Sequence, residues 1–362
     1  MVKKIFGALG IIIGVLLLVV VGYFIYVFNA YYRLEDNLEL AIETPLAESG
    51  EDVTMVNVNE TYRIITHNVG FGAYTQDFSF FMDGGTESWA ASEDSVKEVI
   101  ASAAQFAYSY APDFLFVQEL DIDSTRSYHV DEYALYRSYF KEYYVNFAQN
   151  YDSPFLMYPL TQPHGASKAG IATFTKYAQN DAVRRSFPIS TGLAKLVDLD
   201  RCYSVTRIPT NNGKYLVLYN LHMSAYGSDE TVREGQISML CADMATEYAV
   251  GNYIICGGDF NHNLTLAEDA ETTQSWAAPF PRSALPDGLS FALDALSEEE
   301  LSALQDSCRN ADEPYEAGHT ETFMLDGFIV SDNVDVSLYT VLGTEYTYSD
   351  HDPVYMEFSL IY

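Results

Sequence analysis

Short runs of β-branched and aromatic residues alternate with amphipathic stretches from Thr61 to the end of the chain. Such runs, bounded by Gly, Asp, Asn and Ser, predict strands. Several of them are continuously apolar, as expected of strands that are covered on both faces. The predicted strands are residues 62–68, 114–119, 170–176, 215–222, 253–259, 326–331 and 354–360. Because strands and helices interleave, the pattern predicts a layered α/β domain.

Two segments carry apolar residues at helical spacing, over residues 96–110 and 237–248. Ser-x-x-Glu at 95–98 and Thr-x-x-Glu at 231–234 are capping boxes that predict where each helix begins. Gly251 predicts the end of the second helix, since glycine commonly follows the last helical turn.

The sequence of the N-terminal part of the chain predicts a membrane anchor. Residues 5–28 contain no charged side chain, and about 20 apolar residues suffice to span a bilayer. Lys3 and Lys4 precede this span, so the positive-inside rule places residues 1–4 in the cytoplasm and the body outside the cell membrane. A cleaved signal peptide is the alternative, although no clear cleavage site follows. In either case the body is exported.

The remainder divides into two parts by composition. Residues 29–60 are polar and acidic, which predicts a stalk between the membrane and the folded body. Residues 61–362 then form the body, a single folded domain. No internal repeat or low-complexity tract interrupts it.

The overall charge narrows the class of partner. The 362 residues carry a formal net charge of −32 and show no Lys/Arg cluster. Such a surface repels phosphate backbones, which argues against stable binding of duplex nucleic acid. None of the four cysteines forms a C-x-x-C pair, so a zinc ribbon is not indicated. Buried thiols are favoured over a single disulfide.

Polar residues recur where the predicted strands end. These residues are His67, Asn68, Gln118, Glu119, Asn220, His222, Asp259, Asn261, Asp326, Asp350 and His351. Each alone has an ordinary interpretation as a turn or surface residue. Together they indicate a site, because loops at strand ends are where sites are built.

Phosphoester hydrolysis is the chemistry that these residue types share. Mg²⁺ prefers oxygen ligands, which the Glu119 carboxylate and the Asn68 carbonyl would supply. A carboxylate or histidine could deprotonate a water. His351 would need a partner to fix its tautomer, and Asp326 is a candidate.

Six motifs occur in one order: N-V (68–69), V-Q-E (117–119), N-L-H (220–222), G-D-F-N (258–261), D-G-F-I-V (326–330) and S-D-H-D-P-V (349–354). This set resembles the endonuclease/exonuclease/phosphatase superfamily, which includes deoxyribonuclease I, the apurinic exonucleases, the neutral sphingomyelinases and the inositol polyphosphate 5-phosphatases. The resemblance spans nearly all of the predicted body. It implies a four-layer α/β/β/α sandwich of two mostly antiparallel sheets, here preceded by one transmembrane helix.

The resemblance also implies a role for each motif residue. Asn68, Glu119 and Asp350 would hold Mg²⁺, with Mn²⁺ as the alternative ion. Asp259 and Asn261 would orient the water and the phosphate, and His222 would contact a phosphoryl oxygen. His351, paired with Asp326, would act as acid/base or phosphate stabiliser. Whether Asp259 or His351 activates the water stays open.

Two further stretches carry candidate substrate-binding residues. Arg126 and His129 follow Glu119 in residues 121–133 and could grip a second anionic group. Lys168 precedes the predicted strand 170–176 and could border the pocket. A solvated helix start and an ordinary surface lysine are the alternatives.

Three functions remain in view. The favoured one is a membrane-tethered extracytoplasmic phosphodiesterase or phosphatase acting on a small or lipid-linked phosphoester. The alternatives are an exported nuclease, against which the acidic charge argues, and a non-catalytic binding module of the same fold. The oligomeric state is not predicted.

Overall fold

Every strand predicted from the sequence is present in the computed structural model, which describes residues 2–47, 54–190, 200–225, 230–270 and 276–362. The strands are β1 (Leu38–Glu39), β2 (Ile42–Glu43), β3 (Thr61–Asn68), β4 (Phe114–Asp121), β5 (Tyr144–Leu156), β6 (Gly165–Thr175), β7 (Asp181–Ser186), β8 (Cys202–Pro209), β9 (Tyr215–His222), β10 (Tyr253–Asp259), β11 (Leu289–Phe291), β12 (Cys308–Arg309), β13 (Thr322–Phe323), β14 (Asp326–Ser331), β15 (Val334–Val341) and β16 (Val354–Leu360). The helices are α1 (Val2–Ala30), α2 (Glu93–Ser109), α3 (Glu132–Arg137), α4 (Glu230–Ala249) and α5 (Glu298–Ala303).

Within the described residues the strands form two seven-stranded sheets and one small hairpin of β12 and β13. The first sheet has the order β1-β7-β8-β9-β10-β14-β11, and the second has the order β15-β16-β3-β4-β6-β5-β2. Neighbours in both sheets are antiparallel except for β9 with β10 and β3 with β4, which are parallel. The expected α/β sandwich of two mostly antiparallel sheets is therefore confirmed.

The core lies mainly between the two sheets. Ile64 of β3 and Phe116 of β4 belong to the same buried cluster as Leu218 of β9 and Phe328 of β14. The rings of Phe116 and Phe328 meet across the sheets with centroids 6.4 Å apart. Since alternate side chains along a strand face opposite sides, these residues define the inner faces.

Helices cover the two outer faces. Val96 and Ile100 of α2 share a buried cluster with Ile65 and Leu115, which lie on the outer face of the second sheet. On the other side, the Tyr219 hydroxyl donates to the carbonyl of Asp243 in α4 at 3.3 Å. The layers therefore run helix, sheet, sheet, helix.

The helix starts differ from the capping boxes expected from the sequence. α2 begins at Glu93, and the Ser92 side chain caps it by accepting from the Ser95 N–H at 3.1 Å. The prediction that the helix begins at Ser95 was wrong. Ser92 lies one turn earlier and is followed by Glu93 and Asp94, whose negative charges are favourable at the positive end of the helix dipole. α4 likewise already includes Thr231.

α1 is one continuous apolar helix. The most apolar window within Lys3–Ala30 has a mean hydropathy of 2.9 and contains no buried residue. The helix is therefore long and apolar enough to cross a membrane. A signal sequence near the N-terminus would also meet this criterion of length and composition.

Part of the acidic segment 29–60 packs on the body. β1 pairs with β7 of the first sheet, and β2 pairs with β5 of the second. Residues 48–53 of the expected stalk lie outside the described residues. The division into anchor, stalk and catalytic domain stays a prediction.

Candidate active site

Four strands deliver polar side chains to one edge of the space between the sheets. Asn68 ends β3 on the same inner row as Ile64, and His222 ends β9 on the row of Leu218. Asp259 of β10 lies opposite both His222 and Asp326 in the strand register. Strand alternation therefore brings these residues together.

Glu119 reaches the same space through an irregularity in β4. Its neighbour Gln118 faces the inter-sheet interior, so regular alternation would turn Glu119 towards the helix layer. The pairing of β4 with β6 instead shifts register between Val117 and Leu120, and Glu119 has a φ of 58°. This bulge turns the carboxylate so that the Asn68 Nδ2 donates to Glu119 Oε1 at 3.2 Å.

The Asp259 carboxylate is the centre of the cluster. It accepts hydrogen bonds from Asn68 Nδ2 at 3.1 Å and from the Asn261 N–H at 2.8 Å. The Nε2 atoms of His222 and His351 lie 3.4 and 3.8 Å from Asp259 Oδ2. Burial raises the pKa of Asp259 to about 7, although the charge of His351 opposes this rise.

His351 is held by Asp326. The Nδ1 of His351 lies 2.6 Å from Asp326 Oδ2, and the Ser307 hydroxyl donates to the same oxygen at 2.8 Å. Burial disfavours the charged imidazole, but the Asp326 carboxylate outweighs it, so the pKa of His351 lies well above its usual value. The raised pKa therefore favours the protonated ring, whose Nε2 is directed towards Asp259.

His222 and Glu119 are perturbed mainly by burial. The His222 Nε2 lies 3.8 Å from Glu119 Oε1. Burial, assisted by the charge of Arg201, lowers the pKa of His222 well below its usual value, so its ring is neutral. Burial also raises the pKa of Glu119, and the nearby Asp350 carboxylate adds to the rise.

Asp350 faces the cluster from the turn before β16. The Ser349 hydroxyl donates to Asp350 Oδ1 at 3.1 Å. Gly70, with a φ of 52°, passes close by: a Cβ there would lie 3.1 Å from Asp350 Oδ1 and 2.7 Å from the Tyr74 ring. A side chain at position 70 would therefore crowd the site.

These residues open into a cavity of about 360 Å³. Six of the predicted catalytic and metal-binding residues line it, namely Glu119, His222, Asp259, Asn261, Asp350 and His351. Asn68 and Asp326 support the lining residues from behind through the hydrogen bonds given above. The rest of the wall is largely apolar and includes Phe71, Tyr74, Phe80, Met82, Tyr151 and Trp276.

Three arginines also line the cavity: Arg126, Arg201 and Arg309. Arg126 is buried, forms two hydrogen bonds with Asp121 at 2.9 and 3.1 Å, and lies 3.8 Å above the Phe71 ring. Sequence reasoning missed Arg201 and Arg309, since neither belongs to a recognisable motif. The cavity thus contains positive charge within an acidic protein.

The other two expected substrate-binding residues lie elsewhere. His129 is exposed and pairs with Asp123 at 2.6 Å, and Lys168 is half-exposed and lies 3.7 Å from Asp152. Neither residue is part of the cavity wall. The structure therefore brings only Arg126 of this group to the site.

Cys308 is a further member of the site that the sequence did not single out. Its Sγ lies 3.4 Å from His351 Nε2, and burial raises the pKa of the thiol to about 12. All four cysteines are buried and free, which confirms the expectation of buried thiols.

The donor set fits a hard divalent cation. The Glu119 and Asp350 carboxylates face the cavity, and a cation between them would offset both the burial that raises the pKa of Glu119 and the smaller contribution from the Asp350 charge. The ligand atoms of Asp350, His351 and Cys308 also lie within 4.8 Å of one another, but a thiol and an imidazole with raised pKa values are not ligands for such a cation, which leaves the carboxylate oxygens as its donors. The Asn68 Oδ1 accepts from the Gly70 N–H at 3.0 Å, so its amide NH₂ is the part that faces the carboxylates.

Solved structures with the same fold come from several organisms. The chain is similar to an endonuclease/exonuclease/phosphatase from Beutenbergia cavernae DSM 12333, with a TM-score of 0.59, 16% identity, and coverage of 84% of this chain and 72% of that chain. The human Nocturnin catalytic domain with bound sulfate has a TM-score of 0.52 and 17% identity, with coverage of 84% of this chain and 94% of that chain. Truncated Caenorhabditis elegans TDP2 has a TM-score of 0.52 and 15% identity, with coverage of 83% of this chain and 98% of that chain. At these identities the likeness shows the fold. No curated protein matches the chain.

The sequence itself matches one family model. Residues 65–351, most of the chain, match the model described as "Endonuclease/Exonuclease/phosphatase family". The matched region begins in β3 and ends at His351, so it contains every residue of the cluster around Asp259. This agreement of sequence, fold and site geometry identifies the chain as a member of the endonuclease/exonuclease/phosphatase family, whose fold is that of phosphoester hydrolases.

Proposed function

We propose that this protein is a metal-dependent hydrolase, a phosphodiesterase or phosphatase, tethered outside the membrane and acting on a small or lipid-linked phosphoester. The observation that carries the proposal is the environment of Asp259. One buried carboxylate is contacted by Asn68 and Asn261 and faces a histidine that Asp326 holds from behind. A base, neutral donors and a supported imidazole thus surround one cavity.

The directions of the pKa shifts support a division of labour. Asp259, with a pKa of about 7, is suited to accept the proton of the attacking water at neutral pH. The new P–O bond forms from this water as the bond to the leaving oxygen breaks. His351, whose raised pKa favours the protonated ring, is suited to donate its Nε2 proton to that leaving oxygen or to a phosphoryl oxygen.

Neutral donors would stabilise the transition state. His222 carries a neutral ring because its pKa is lowered by burial, and its Nε2 faces the cavity beside Asp259. The Asn261 amide is fixed by its hydrogen bond to the Met223 carbonyl at 2.9 Å. Such preorganised donors act where negative charge develops on the phosphoryl oxygens.

Glu119 and Asp350 are the residues that would hold Mg²⁺ or Mn²⁺, with Asn68 beside them. A bound divalent cation supplies charge neutralisation at the phosphoryl oxygens. Asn68 orients both Glu119 and Asp259 through its amide group.

Charge and anchoring favour a small or lipid-linked substrate over a nucleic acid. The net charge of −32 opposes binding of a long polyanion, whereas Arg126, Arg201 and Arg309 provide local positive charge for a single phosphate. The apolar helix α1 would keep the site next to a bilayer, with the N-terminus cytoplasmic. A nuclease remains the second candidate, because the family fold is shared with nucleases.

The full chain in detergent or nanodiscs provides the test. Phosphate or alcohol release is measured with Mg²⁺ from a phospholipid, a sugar phosphate and single-stranded DNA, with EDTA as a blank. Asp259→Asn and His351→Gln should abolish turnover, while the exposed-site controls Asp287→Asn and His319→Gln should keep it. Preferred cleavage of DNA would instead assign a nuclease. Metal binding without turnover of any substrate would indicate a binding module.

A further inference from the structure

One hairpin exposes apolar side chains although the chain is highly acidic. Residues 154–163, which join β5 to β6, contain no charged side chain. Within this tip Tyr158 is 71% exposed and Leu160 is 82% exposed, and Met157 is 45% exposed. Exposed apolar patches of this kind mark an interaction surface rather than a solvated loop.

The hairpin lies against the apolar helix α1. The Tyr26 hydroxyl accepts from the Phe155 N–H at 3.0 Å, and the Tyr23 hydroxyl accepts from the Met157 N–H at 3.0 Å. The hairpin therefore runs along α1 from Tyr26 towards Tyr23, which is the direction of the apolar span. Tyrosine is also enriched at the interface between a membrane and water.

These contacts fix the depth of the hairpin. Tyr23 lies five positions before Phe28, the last residue of the apolar span that precedes Asn29. At roughly 1.5 Å per residue, that is about 7 Å inside the span. Interfacial protein segments are typically buried roughly 5–10 Å into the headgroup and acyl boundary. If α1 crosses a bilayer, the hairpin tip must therefore lie in its outer interface.

The same hairpin borders the mouth of the active site. The Phe81 ring lies 5.8 Å from the Tyr158 ring and 5.9 Å from the His164 ring. His164 and the half-exposed Met82 line the cavity. Two hydrogen bonds hold the hairpin in this position: the Trp89 Nε1 donates to the Pro163 carbonyl at 2.7 Å, and the Ser88 hydroxyl donates to the Gln162 carbonyl at 2.7 Å. An apolar tract thus leads from the hairpin tip to the cavity.

We propose that residues 154–163 insert into the bilayer that α1 crosses, and that the active site opens onto this bilayer and hydrolyses the phosphoester of a lipid within it. The second part rests on the proposed hydrolase function, whereas the first part does not. The partner of the apolar tip is the lipid interface, because the tip packs beside α1 at the depth where that helix would enter the membrane.

Depth can be measured on the full chain in phosphatidylcholine nanodiscs. A fluorophore is attached at Leu160→Cys, since the four native cysteines are buried. Leu338→Cys, at an exposed apolar position of β15, is the matched control. Lipids carrying a nitroxide near the headgroup should quench the label at position 160 and leave the label at position 338 unquenched. Equal quenching at both positions would overturn the insertion.

Turnover tests the second part with matched substrate pairs. Phosphatidic acid in the nanodisc is compared with glycerol 3-phosphate, and phosphatidylglycerol with glycerophosphoglycerol. Leu160→Glu should lower turnover of the lipid member about tenfold, the scale of losing one buried leucine, and leave the soluble member unchanged. Leu338→Glu should change neither.

The outcomes separate the two claims. Quenching at position 160 without hydrolysis of any of the four compounds would retain the insertion and reject these lipid phosphoesters as substrates. Hydrolysis of soluble and lipid members with equal sensitivity to Leu160→Glu would reject the lipid substrate. Quenching of the label at position 160, together with a loss of lipid turnover alone in Leu160→Glu, would support both parts.

Discussion

The Nδ1 atom of His351 lies 2.6 Å from Oδ2 of Asp326, deep under the cavity. The second carboxylate oxygen of Asp326 is buried and has no hydrogen-bond partner among the described residues. The contacts of the Asp326 carboxylate are thus made through Oδ2, which holds the His351 ring and accepts from the Ser307 hydroxyl.

Replacing Asp326 by Asn should therefore disable His351 without removing it. The amide can no longer stabilise the imidazolium, so we expect kcat to fall roughly 10²–10⁴-fold, the range of acid–base contributions, with little change in KM. Asp335→Asn, at an exposed position of β15, is the control. A variant that is folded by circular dichroism and fully active would contradict a role for this pair.

Glu119→Gln should have opposite effects on metal binding and on the stability of the metal-free protein. The pKa of Glu119 is raised by burial, so its ionised form costs stability at pH above this pKa. At pH 7 without metal, the variant should have a higher free energy of unfolding than the wild type. Calorimetric titration should show weakened Mg²⁺ or Mn²⁺ binding, while Glu98→Gln on the exposed face of α2 should bind normally. Unchanged affinity would exclude Glu119 as a ligand.

Gln118→Met should destabilise the contact between the sheets. The Gln118 Nε2 donates to Asn220 Oδ1 at 2.8 Å, and this bond joins β4 of one sheet to β9 of the other. Loss of one partner leaves a buried amide unsatisfied, at a cost of about 1–3 kcal/mol. Urea denaturation in detergent measures the change. The double replacement Gln118→Met/Asn220→Leu should cost less than the sum of the single ones, and strict additivity would show that the bond contributes little.

His164 should make the fold sensitive to acid. Burial, with a contribution from Arg126, lowers the pKa of His164 from its ordinary 6.5 to about 3. Below pH 6.5 the unfolded chain binds a proton that the folded chain excludes, so stability falls as the pH drops towards 3. His164→Phe should reduce this slope by about 1.4 kcal/mol per pH unit. His67, whose pKa is also about 3, keeps the remaining slope non-zero, and His319→Gln should leave it unchanged.

The sequence predicts the strands and the central site well, for a physical reason. Asn68, His222 and Asp259 end apolar strands, so alternation alone directs them to a common edge. Glu119 is less predictable, since its direction depends on a bulge that pairing with β6 creates. The family resemblance, rather than periodicity, indicated the four layers.

Other features depend on contacts between distant segments. Arg201, Arg309 and Cys308 reach the cavity only through the packing of loops, and no local pattern identifies them. His129 lies close to Arg126 in sequence, yet the left-handed backbone at Tyr128 and His129 turns it towards solvent. The start of α2 is also difficult to predict from local sequence, because Ser92 and Ser95 are both suitable N-cap residues and only Ser92 caps the helix.

The two short strands after α1 attach neighbouring parts of the chain to both sheets, β1 to the first and β2 to the second. Arg33, between α1 and β1, also pairs with Asp200 at 2.6 Å. If α1 crosses a membrane, these contacts leave little freedom of movement between the helix and the body, so the cavity would stay at a constant distance from the bilayer. A hydrolase held in this way would take its substrate from the plane of the bilayer. Its turnover would then follow the mole fraction and lateral diffusion of substrate in the bilayer, and dilution of the substrate by inert lipid would slow it even at constant bulk concentration.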